Sequence, residues 1–386
     1  MPQETENFDD IRGAVQSLCS EFPGEYWRKL DAEKGYPTEF VEAVTKGGFL
    51  AVLIPENYGG SGLGLGGATA ILEEIHKSGC NAAACHAQMY TMGTVLRHGS
   101  DAQKSEYLPM IASGNLRLQA FGVTEPSSGT DATRIKTTAL KDGEEYIING
   151  QKIWTSRVEH SDLMLLLART SPREENKKRH KGLSVFLIDI REAVGNGLTI
   201  QPIKTMINHA TTEVFFDDLR VSASSLIGAE GEGFKYILDG MNAERILISS
   251  ECIGDARWFV KKAAAYAKER EVFGRPIGQN QGVQFPIAKA YAATEAADLM
   301  VKKAANLFDS GVSCGAEANM AKMLAAGASW EAADMCLQTH GGFGFAEEYD
   351  VERKFRETRL YQIAPISTNF ILSYIAEHVL DLPRSY

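Results

Sequence analysis

The sequence predicts an α+β protein in which a helical region, a β region and a second helical region follow one another along 386 residues. Apolar residues recur at three- and four-residue intervals before residue 120 and again after residue 230, as in amphipathic helices. Between these regions, β-branched and aromatic runs are separated by turn residues, as in hairpins. This order is not the strand–helix alternation of a dinucleotide-binding sheet, so the pattern argues against that fold.

The first region, residues 1–120, is predicted to be an N-terminal helical domain. Its clearest helical segments are FDDIRGAVQSLCSEF and GATAILEEIHKSG. Gly62 to Gly67 match the pattern GxGxxG, which in a βαβ unit would bind a pyrophosphate at a helix N-terminus. Because no second strand with a ribose-binding acid follows, we favour a loop that leads into a helix and interpret these glycines as loop residues.

The second region, residues 121–229, is predicted to be a β domain. The stretch TTALKDGEEYIINGQKIWTS contains Asp142-Gly143 and Asn149-Gly150, both of which are predicted to be compact hairpin turns. Further strands are predicted in DLMLLLART, GLSVFLIDI and TTEVFFDDLRV. The charged stretch SPREENKKRHK (171–181) is predicted to be a solvated loop between two strands, with ligand binding as the less favoured alternative.

The third region, residues 230–386, is predicted to be a C-terminal helical domain. Three long periodic segments are separated by short breaks, which is typical of a helix bundle. They are FKYILDGMNAERILISSECIGDARWFVKKAAAYAKEREVF, QGVQFPIAKAYAATEAADLMVKKAANLFDSG and GAEANMAKMLAAGASWEAADMCLQTHGG.

Composition and charge argue against several classes of protein. The net charge of −10 disfavours a nucleic-acid surface, because phosphate binding requires clustered Lys and Arg. The six cysteines form no CxxC pair, which predicts neither a metal site nor a disulfide framework and indicates a reducing compartment. No apolar run of about 18 residues predicts a membrane span, and the N-terminus MPQETENFDDIRG lacks the apolar stretch of a signal peptide. We therefore expect the cytoplasm, or an organelle matrix for a mature form.

Two segments of the β region carry residues suited to a planar heterocycle. FGVTEPSSGTD (121–131) offers hydroxyls and backbone N–H groups in a turn, although a hydrogen-bonded surface turn is the simpler interpretation. Trp154-Thr155-Ser156 could cover a flavin ring and donate a hydrogen bond to it, whereas a strand tryptophan taken alone more often belongs to the core.

Two further segments lie in the third region. Arg270, in EREVFGRPIGQNQGVQF, can bind a pyrophosphate in bidentate fashion or form a surface ion pair. Gly341-Gly342, in QTHGGFGFAEEYDVERKFRE, allows close approach of a ligand to the backbone or ends a helix.

Taken in order, TEPSSGTD, KIWTS, REVFGRPIGQNQ and QTHGGFGF resemble the acyl-CoA dehydrogenase family over nearly the whole chain. The resemblance implies an N-terminal helical domain, a central β-barrel domain and a C-terminal four-helix bundle. It implies an FAD-dependent enzyme of fatty acid β-oxidation that introduces a trans α,β double bond into an acyl-CoA and passes electrons to electron-transferring flavoprotein. It also implies a homotetramer in which Arg270, Gln281 and the Gln338–Gly342 turn reach the FAD of a neighbouring subunit.

The resemblance further implies roles for individual residues. Val123 and Thr124 are expected to contact the flavin pyrimidine, Trp154 to flank the ring and Ser156 to lie near N5. Thr130 is expected to face the pantetheine arm. The remaining implied residues are Gly341, Gly342, Phe273, Ser367 and Asn369 for the cofactor, and Asn242 and Arg245 for the substrate. Arg245 could also be a structural cation or a member of an ion pair on the helix surface.

The reaction needs a carboxylate that removes the α proton while hydride leaves the β carbon for flavin N5. Many family members carry this Glu near the C-terminus, where the matching residue here is Pro365 and the next acid is Glu377. The segment MNAER instead resembles the isovaleryl-CoA and long-chain branch of the family, which makes Glu244 the candidate base and favours branched or long acyl chains. Glu244 could also be an exposed helix acid, and Glu251, two turns along the same face, is the rival base.

Pro365 raises a second question, because proline has no N–H. In the family, the N–H at this position donates to the thioester carbonyl. We therefore expect the segment Ala364–Ser367 to be shifted, with a flavin ribityl hydroxyl and an N–H such as that of Ile366 as donors. An oxidase that uses dioxygen, a desulfinase without a base, and a flavin-free scaffold remain alternatives, and the retained Trp154, Arg270 and Gly341-Gly342 disfavour the last.

Overall fold

The computed structural model describes residues 8–172 and 178–385. Within the loop predicted at 171–181, residues 173–177 therefore lie outside the described residues. The helices are α1 (Asp9–Cys19), α2 (Gly24–Glu33), α3 (Thr38–Lys46), α4 (Gly64–Lys77), α5 (Ala83–His98), α6 (Asp101–Ala112), α7 (Ile190–Ala193), α8 (Gly233–Glu269), α9 (Gln281–Asp309), α10 (Gly315–His340), α11 (Val351–Arg359) and α12 (Thr368–His378).

The strands confirm a central β region that interrupts the helices. They are β1 (Leu118–Gly122), β2 (Thr138–Asp142), β3 (Glu145–Ser156), β4 (Leu163–Arg169), β5 (Leu183–Asp189), β6 (Leu198–Pro202), β7 (Thr211–Ser222), β8 (Leu226–Ile227), β9 (Glu271–Val272) and β10 (Arg275–Pro276). The three strands predicted in DLMLLLART, GLSVFLIDI and TTEVFFDDLRV are β4, β5 and β7.

The chain forms two compact units. Within the described residues, the sheet unit comprises residues 36–62, 83–172 and 178–241, and the bundle unit comprises residues 8–35, 63–82 and 242–385. These units group residues by contact, and the domain boundaries at 120/121 and 229/230 stay predictions.

The sheet unit is built on one eight-stranded sheet. Its strand order is β6-β7-β3-β2-β4-β5-β8, with β1 paired in parallel to β4. Strand β4 is buried along its whole length, because Leu165 belongs to one apolar core and Leu166 to the core on the opposite face. Residues of α5 and α6 contribute to the first of these cores. Burial on both faces explains why β4 has a continuous apolar sequence instead of an alternating one.

Only one of the two predicted hairpin turns is present. Asp142 pairs with Glu145, so the β2–β3 turn contains Gly143, whose φ of 63° favours glycine. The prediction of a turn at Asn149-Gly150 is wrong, because both residues lie inside β3. Gly150 has a φ of 145°, and a Cβ there would lie 2.7 Å from the Thr137 Cα. Glycine marks a close approach of two backbones at this point of the strand.

The GxGxxG segment enters a helix, as expected, but the interpretation of all its glycines as loop residues is wrong. Helix α4 begins at Gly64 and includes Gly66 and Gly67. The N–H groups of Leu65 and Gly66 donate to the Asp309 carboxylate over 2.7 and 2.9 Å. Because a carboxylate of the chain itself already satisfies the first turn of this helix, the pyrophosphate alternative has no support.

The three long helices predicted from periodicity are present, and the bundle unit contains α9, α10 and the part of α8 from residue 242 onwards. Helix α10 packs against α9, α11 and α12, and its buried positions are mostly alanine, such as Ala321 and Ala325. Small side chains allow neighbouring helices to approach closely. Among residues 8–172 and 178–385, no helix combines the length and apolar character needed to cross a membrane.

Candidate active site

In the sheet unit, the segment after β1 is fixed by a buried ion pair. The Glu125 carboxylate accepts hydrogen bonds from the N–H groups of Lys136 (2.6 Å) and Thr137 (2.9 Å) and from the Lys152 ammonium (2.9 Å). Lys152 also donates to the Val123 carbonyl over 3.0 Å. These bonds fix the Val123 carbonyl and the Glu125 side chain at the start of TEPSSGTD.

The electrostatics of this pair follow from its burial. Desolvation lowers the pKa of Lys152 to about 8, although the Glu125 carboxylate opposes the shift. Desolvation also disfavours the Glu125 carboxylate, yet Lys152 and the Lys136 N–H lower the pKa of Glu125 below its ordinary value. The pair is therefore mainly ionised near neutral pH.

The predicted flavin-contacting residues of the sheet unit lie close together. The Ile153 N–H donates to the Thr124 carbonyl over 2.9 Å, which joins the TEPSSGTD segment to the end of β3. Trp154 has a φ of 61° and is 57% exposed, so the interpretation as a core tryptophan is wrong. The β3–β7 pairing shifts register between Lys152 and Thr155, and Trp154 lies at this irregularity. Its ring is therefore available to a ligand.

The other two predicted residues of this unit occupy different surroundings. Ser156 is half-buried and pairs with Thr211 at the end of the β3–β7 ladder. Thr130 is exposed, in a turn where the Ser128 hydroxyl donates to the Asp131 carbonyl over 2.6 Å. The simpler interpretation of TEPSSGTD as a hydrogen-bonded turn is thus correct as a description of its geometry, and the turn still presents Thr130 to solvent.

Glu125 and Lys152 were missed as site residues. Strand β3 buries Tyr146, Ile148 and Lys152, which are all even-numbered and share one face of the strand. A lysine on the buried face requires a nearby acid, and the Glu of TEP is the acid that the chain supplies. Strand alternation could therefore have found this pair.

In the bundle unit, the candidate base lies on α8. Glu244 is 7% exposed, so the interpretation of an exposed helix acid is wrong. The Arg245 guanidinium donates to the Asn242 side chain over 2.9 Å. Burial lowers the pKa of Arg245, and the Glu244 carboxylate opposes that shift. Asn242, Glu244 and Arg245 thus form one polar group at this turn of the helix.

The rival carboxylate has different neighbours. Glu251 is 1% exposed, and its carboxylate accepts a hydrogen bond from the Tyr361 hydroxyl over 3.2 Å. His76 Nε2 lies 3.8 Å away, and the other nitrogen of that ring contacts Asp255, which also contacts Lys354. Glu251 therefore belongs to a buried ionic cluster that joins α4, α8 and α11.

The predicted pyrophosphate-binding and neighbouring-subunit residues lie around a short hairpin. Strands β9 and β10 are joined by Phe273 and Gly274, with φ of 54° and 76°, and Phe273 is fully exposed. The Arg270 guanidinium lies 5.6 Å from the centroid of the Phe343 ring. No ion pair involves Arg270 in the described part of the chain, so the ion-pair alternative is not supported. Arg270 is exposed and available to an anion.

The Gly341-Gly342 turn both ends α10 and leaves the backbone open to a ligand. Gly341 ends α10 with a φ of 58°, which confirms the helix C-cap interpretation. A Cβ at Gly341 or Gly342 would meet no atom within 4 Å, so both positions are open to a ligand. Gln281 begins α9 and Gln338 lies in the last turn of α10, and both are exposed.

The last two predicted cofactor residues begin α12. The Ser367 hydroxyl caps this helix by accepting a hydrogen bond from the Phe370 N–H over 3.4 Å. Asn369, in the first turn, is exposed. Among the described residues, no group of three or more His, Cys, Asp or Glu side chains could hold a metal ion.

Comparison with known proteins identifies the family. Residues 5–115, 120–219 and 231–380 match the N-terminal, middle and C-terminal domain models of acyl-CoA dehydrogenase. The chain belongs to the acyl-CoA dehydrogenase family. It is 35% identical to the acyl-CoA dehydrogenase FadE12 of Mycobacterium tuberculosis, over 99% of this chain and 98% of that protein. The acyl-CoA dehydrogenase of Bacillus subtilis is 34% identical, over 85% and 86% of the two chains.

Solved structures of the acyl-CoA dehydrogenase fold agree with the architecture. A glutaryl-CoA dehydrogenase in complex with glutaryl-CoA has a TM-score of 0.91 at 28% identity, covering 100% of this chain and 97% of that one. Butyryl-CoA dehydrogenase from Megasphaera elsdenii has a TM-score of 0.88 at 28% identity, covering 97% and 99%. A chain from the work on the electron transferring flavoprotein of Acidaminococcus fermentans has a TM-score of 0.90 at 29% identity, covering 98% of both chains.

Family membership makes the chain an FAD-dependent oxidoreductase that acts on CH–CH bonds of acyl-CoA. The geometry of this chain fits FAD. Trp154 exposes a ring beside the fixed Thr124 backbone, and Arg270 exposes a guanidinium suited to phosphate oxygens. The open backbone at Gly341 adds a place for close approach.

Proposed function

We propose that this chain removes two hydrogens from the α and β carbons of an acyl-CoA thioester and leaves a trans double bond, with Glu244 as the base. The burial of Glu244 carries this proposal. A carboxylate on a helix is ordinarily exposed, because its desolvation costs free energy. Buried ionisable groups are concentrated at functional sites, and MNAER resembles the branch of the family that carries the base at this position.

The proposed step balances one proton and one hydride. The Glu244 carboxylate accepts the α proton, and the β hydride leaves as the Cα–Cβ double bond forms. FAD supplies the hydride acceptor, flavin N5, when it is bound. Arg245 is electrostatically coupled to the Glu244 carboxylate, and Asn242 orients the Arg245 guanidinium through its hydrogen bond.

The remaining site residues keep the roles that the family resemblance implies. Val123, Thr124, Trp154 and Ser156 bind the flavin, supported by the Glu125–Lys152 pair, which fixes the first of them. Thr130 contacts the pantetheine arm of the substrate. The other residues assigned to FAD are Arg270, Phe273, Gln281, Gln338, Gly341, Gly342, Ser367 and Asn369.

Electron-transferring flavoprotein is the proposed acceptor of the electrons, with fatty acid β-oxidation in the cytoplasm or an organelle matrix as the setting. Support comes from family resemblance and from the likeness to the Acidaminococcus chain. We expect electron-transferring flavoprotein to reoxidise the reduced enzyme much faster than dioxygen does. Rapid reoxidation by dioxygen with product bound would favour the oxidase alternative instead.

A homotetramer is also part of the proposal. Phe285, Ala292 and Leu299 follow one another at seven-residue spacing on α9, and all three are exposed. An exposed apolar heptad is typical of a helix that packs against another chain. The fully exposed Phe273 adds to this surface. Light scattering should give a mass four times the 42.2 kDa of one chain, and a monomer would contradict the assembly.

The decisive experiment is anaerobic reduction of bound FAD by a panel of straight, branched and long acyl-CoAs. We expect Glu244→Gln to bind substrate and to reduce the flavin at least about a thousandfold more slowly than the wild type, because the α proton has no acceptor. Glu251→Gln is the matched control and should retain the wild-type rate within about tenfold, because Glu251 belongs to the structural cluster.

Other outcomes of the same experiment select between the alternatives. Near wild-type reduction in Glu244→Gln, combined with loss of reduction in Glu251→Gln, would make Glu251 the base. Retained turnover in both variants would indicate a base-independent reaction such as that of a desulfinase. A purified chain that binds no FAD in any condition would support the scaffold alternative and contradict the proposal.

A further inference from the structure

Lys322, on α10, is a fully buried lysine with an unusual partner. Its side chain is 0% exposed, and its ammonium donates to the Ile366 carbonyl over 2.6 Å. No carboxylate in the described part of the chain forms an ion pair with it. Removing an ammonium from water costs several kcal/mol, and one neutral carbonyl replaces little of that hydration. The position of this lysine therefore calls for a functional explanation.

The charge of Lys322 is coupled electrostatically to the α8 turn that carries the proposed base. Burial lowers the pKa of Lys322 to about 8. Cys252 and Glu244 of α8 oppose that shift, and Arg245 of the same helix adds to it. Of the titratable groups on the C-terminal side, Tyr361 contacts Glu251, and Tyr374 acts on Arg245. Lys322 is thus electrostatically coupled to the Glu244 turn of α8 and hydrogen-bonded to the segment that ends at Ile366.

Helix α10 fixes this segment at two points. Besides the bond from Lys322 to Ile366, the Gln362 side chain donates to the Ala326 carbonyl over 2.6 Å. Lys322 and Ala326 are one helical turn apart on α10. The two bonds hold the chain on both sides of Pro365, the residue that cannot donate a hydrogen bond.

The Lys322 bond also determines the direction of one N–H group. The peptide that joins Ile366 and Ser367 is trans and planar, so the Ser367 N–H points away from the Ile366 carbonyl. An ammonium at the carbonyl oxygen polarises the peptide and strengthens the N–H as a donor. Within residues 8–172 and 178–385, neither the Ile366 nor the Ser367 N–H has an acceptor. The Ser367 N–H is therefore oriented, polarised and available.

We propose that Lys322 is a positioning residue: by holding the Ile366 carbonyl, its ammonium presents the Ser367 N–H to the thioester carbonyl, in place of the N–H that Pro365 lacks. This inference rests on the proposed function, since it presupposes a thioester whose α proton is transferred to Glu244. The Ser367 N–H then stabilises the negative charge that develops on the thioester oxygen as the α proton leaves. The Ser367 N–H, two residues after Pro365, would thus replace the missing donor.

The test uses the FAD-loaded enzyme with Lys322→Met and Lys322→Arg, and with Lys29→Met, an exposed lysine on α2, as the matched control. We expect Lys322→Met to slow flavin reduction at saturating acyl-CoA by about tenfold to a hundredfold, because loss of an oxyanion donor costs about a hundredfold to a thousandfold and this substitution weakens the Ser367 N–H without removing it. The dissociation constant of the acyl-CoA should change by less than about threefold, because the donor acts mainly in the transition state. Lys322→Arg should stay within about tenfold of the wild type, and Lys29→Met should match it.

The pH profile separates positioning from a packing role. The protonated lysine is the active form, so the wild-type reduction rate should fall as pH rises through about 8. Arginine stays protonated in this range, so Lys322→Arg should lack this fall. A second readout is independent of turnover: the α-proton acidity of a bound 3-thia-acyl-CoA, followed by its absorbance, should weaken in Lys322→Met by about one pKa unit, which corresponds to tenfold.

Two outcomes would overturn the inference. The first is a wild-type rate of flavin reduction in Lys322→Met, with unchanged acidity of the bound analogue. The second is a fall of the reduction rate near pH 8 in Lys322→Arg that equals the fall in the wild type. The second outcome can be tested even if Lys322→Met does not fold. Failure of the proposed function itself looks different, because Glu244→Gln would then reduce the flavin normally whatever happens at Lys322.

Discussion

Lys152 in the sheet unit and Lys322 in the bundle unit are both fully buried, and burial lowers the pKa of each to about 8. Each holds a backbone carbonyl of a segment assigned to the site, Val123 in one unit and Ile366 in the other. They differ in one respect. Lys152 has the Glu125 carboxylate at 2.9 Å, whereas Lys322 has no carboxylate partner in the described part of the chain.

Because of this difference, we expect Lys152 to stabilise the folded chain and Lys322 to destabilise it. The Glu125 carboxylate compensates the charge of Lys152, and the pair ties β3 to the segment after β1. Lys322 brings into a helix bundle a charge that forms one hydrogen bond and no ion pair within the described residues, and Glu244 offsets only part of its desolvation. A residue that costs stability is retained when it serves function, so the two lysines should respond in opposite ways to removal.

The largest expected change in the free energy of unfolding follows the replacement of Lys152, the lysine that has a carboxylate partner. Lys152→Met leaves the Glu125 carboxylate buried without its cation, so the free energy of unfolding should fall by about 3 kcal/mol or more. Urea unfolding of the enzyme measures this change. The double variant Lys152→Met with Glu125→Gln removes both charges and should recover a substantial part of the loss. Additive losses in the double variant would show that the two charges do not stabilise each other.

Much of the fold could be predicted because its patterns are local. The periodicity of α8, α9 and α10 and the apolar runs of β4, β5 and β7 each lie within one stretch of sequence. The error at Asn149-Gly150 has a long-range cause: the glycine is needed for the close approach of Thr137, not for a turn. The helical Gly66 and Gly67 were missed because the acceptor for the first helix amides is Asp309, which is remote in sequence.

The candidate site was less predictable from the residues alone. Motif order led to the family, and family resemblance selected Glu244, because a Glu-Arg pair in a long helix has no local feature that predicts burial. The partners of Lys152 and Lys322 lie 27 and 44 residues away in sequence. Strand alternation marks Lys152 as buried, whereas apolar residues of α10 include the exposed Leu324 as well as the buried alanines, so the sequence of α10 gives no comparable pattern for Lys322.

A rise in pH should increase the contribution of the two lysines to stability and decrease the rate of flavin reduction. The folded-state pKa of each lysine, about 8, lies below the ordinary value of 10.5, so between these values the unfolded chain binds more protons than the folded one. The contribution of the two lysines to stability therefore increases with pH across this window and levels off above it. Lys322→Met should show a smaller increase than the wild type, because one of the two contributions is gone. Urea unfolding at pH 8 and pH 10 gives the difference, and equal increases would contradict it.

The smallest expected change in the free energy of unfolding is that of Lys322→Met, and it contrasts with the loss expected for Lys152→Met. Lys322→Met replaces a buried ammonium with an apolar side chain of similar length, so no carboxylate is left unpaired and only the Ile366 carbonyl loses a donor. At neutral pH the free energy of unfolding should stay within about 1 kcal/mol of the wild type or increase. Thermal and urea unfolding would check this beside Lys152→Met. A loss as large as that of Lys152→Met would mean that Lys322 stabilises the bundle, and its retention would then need no catalytic reason.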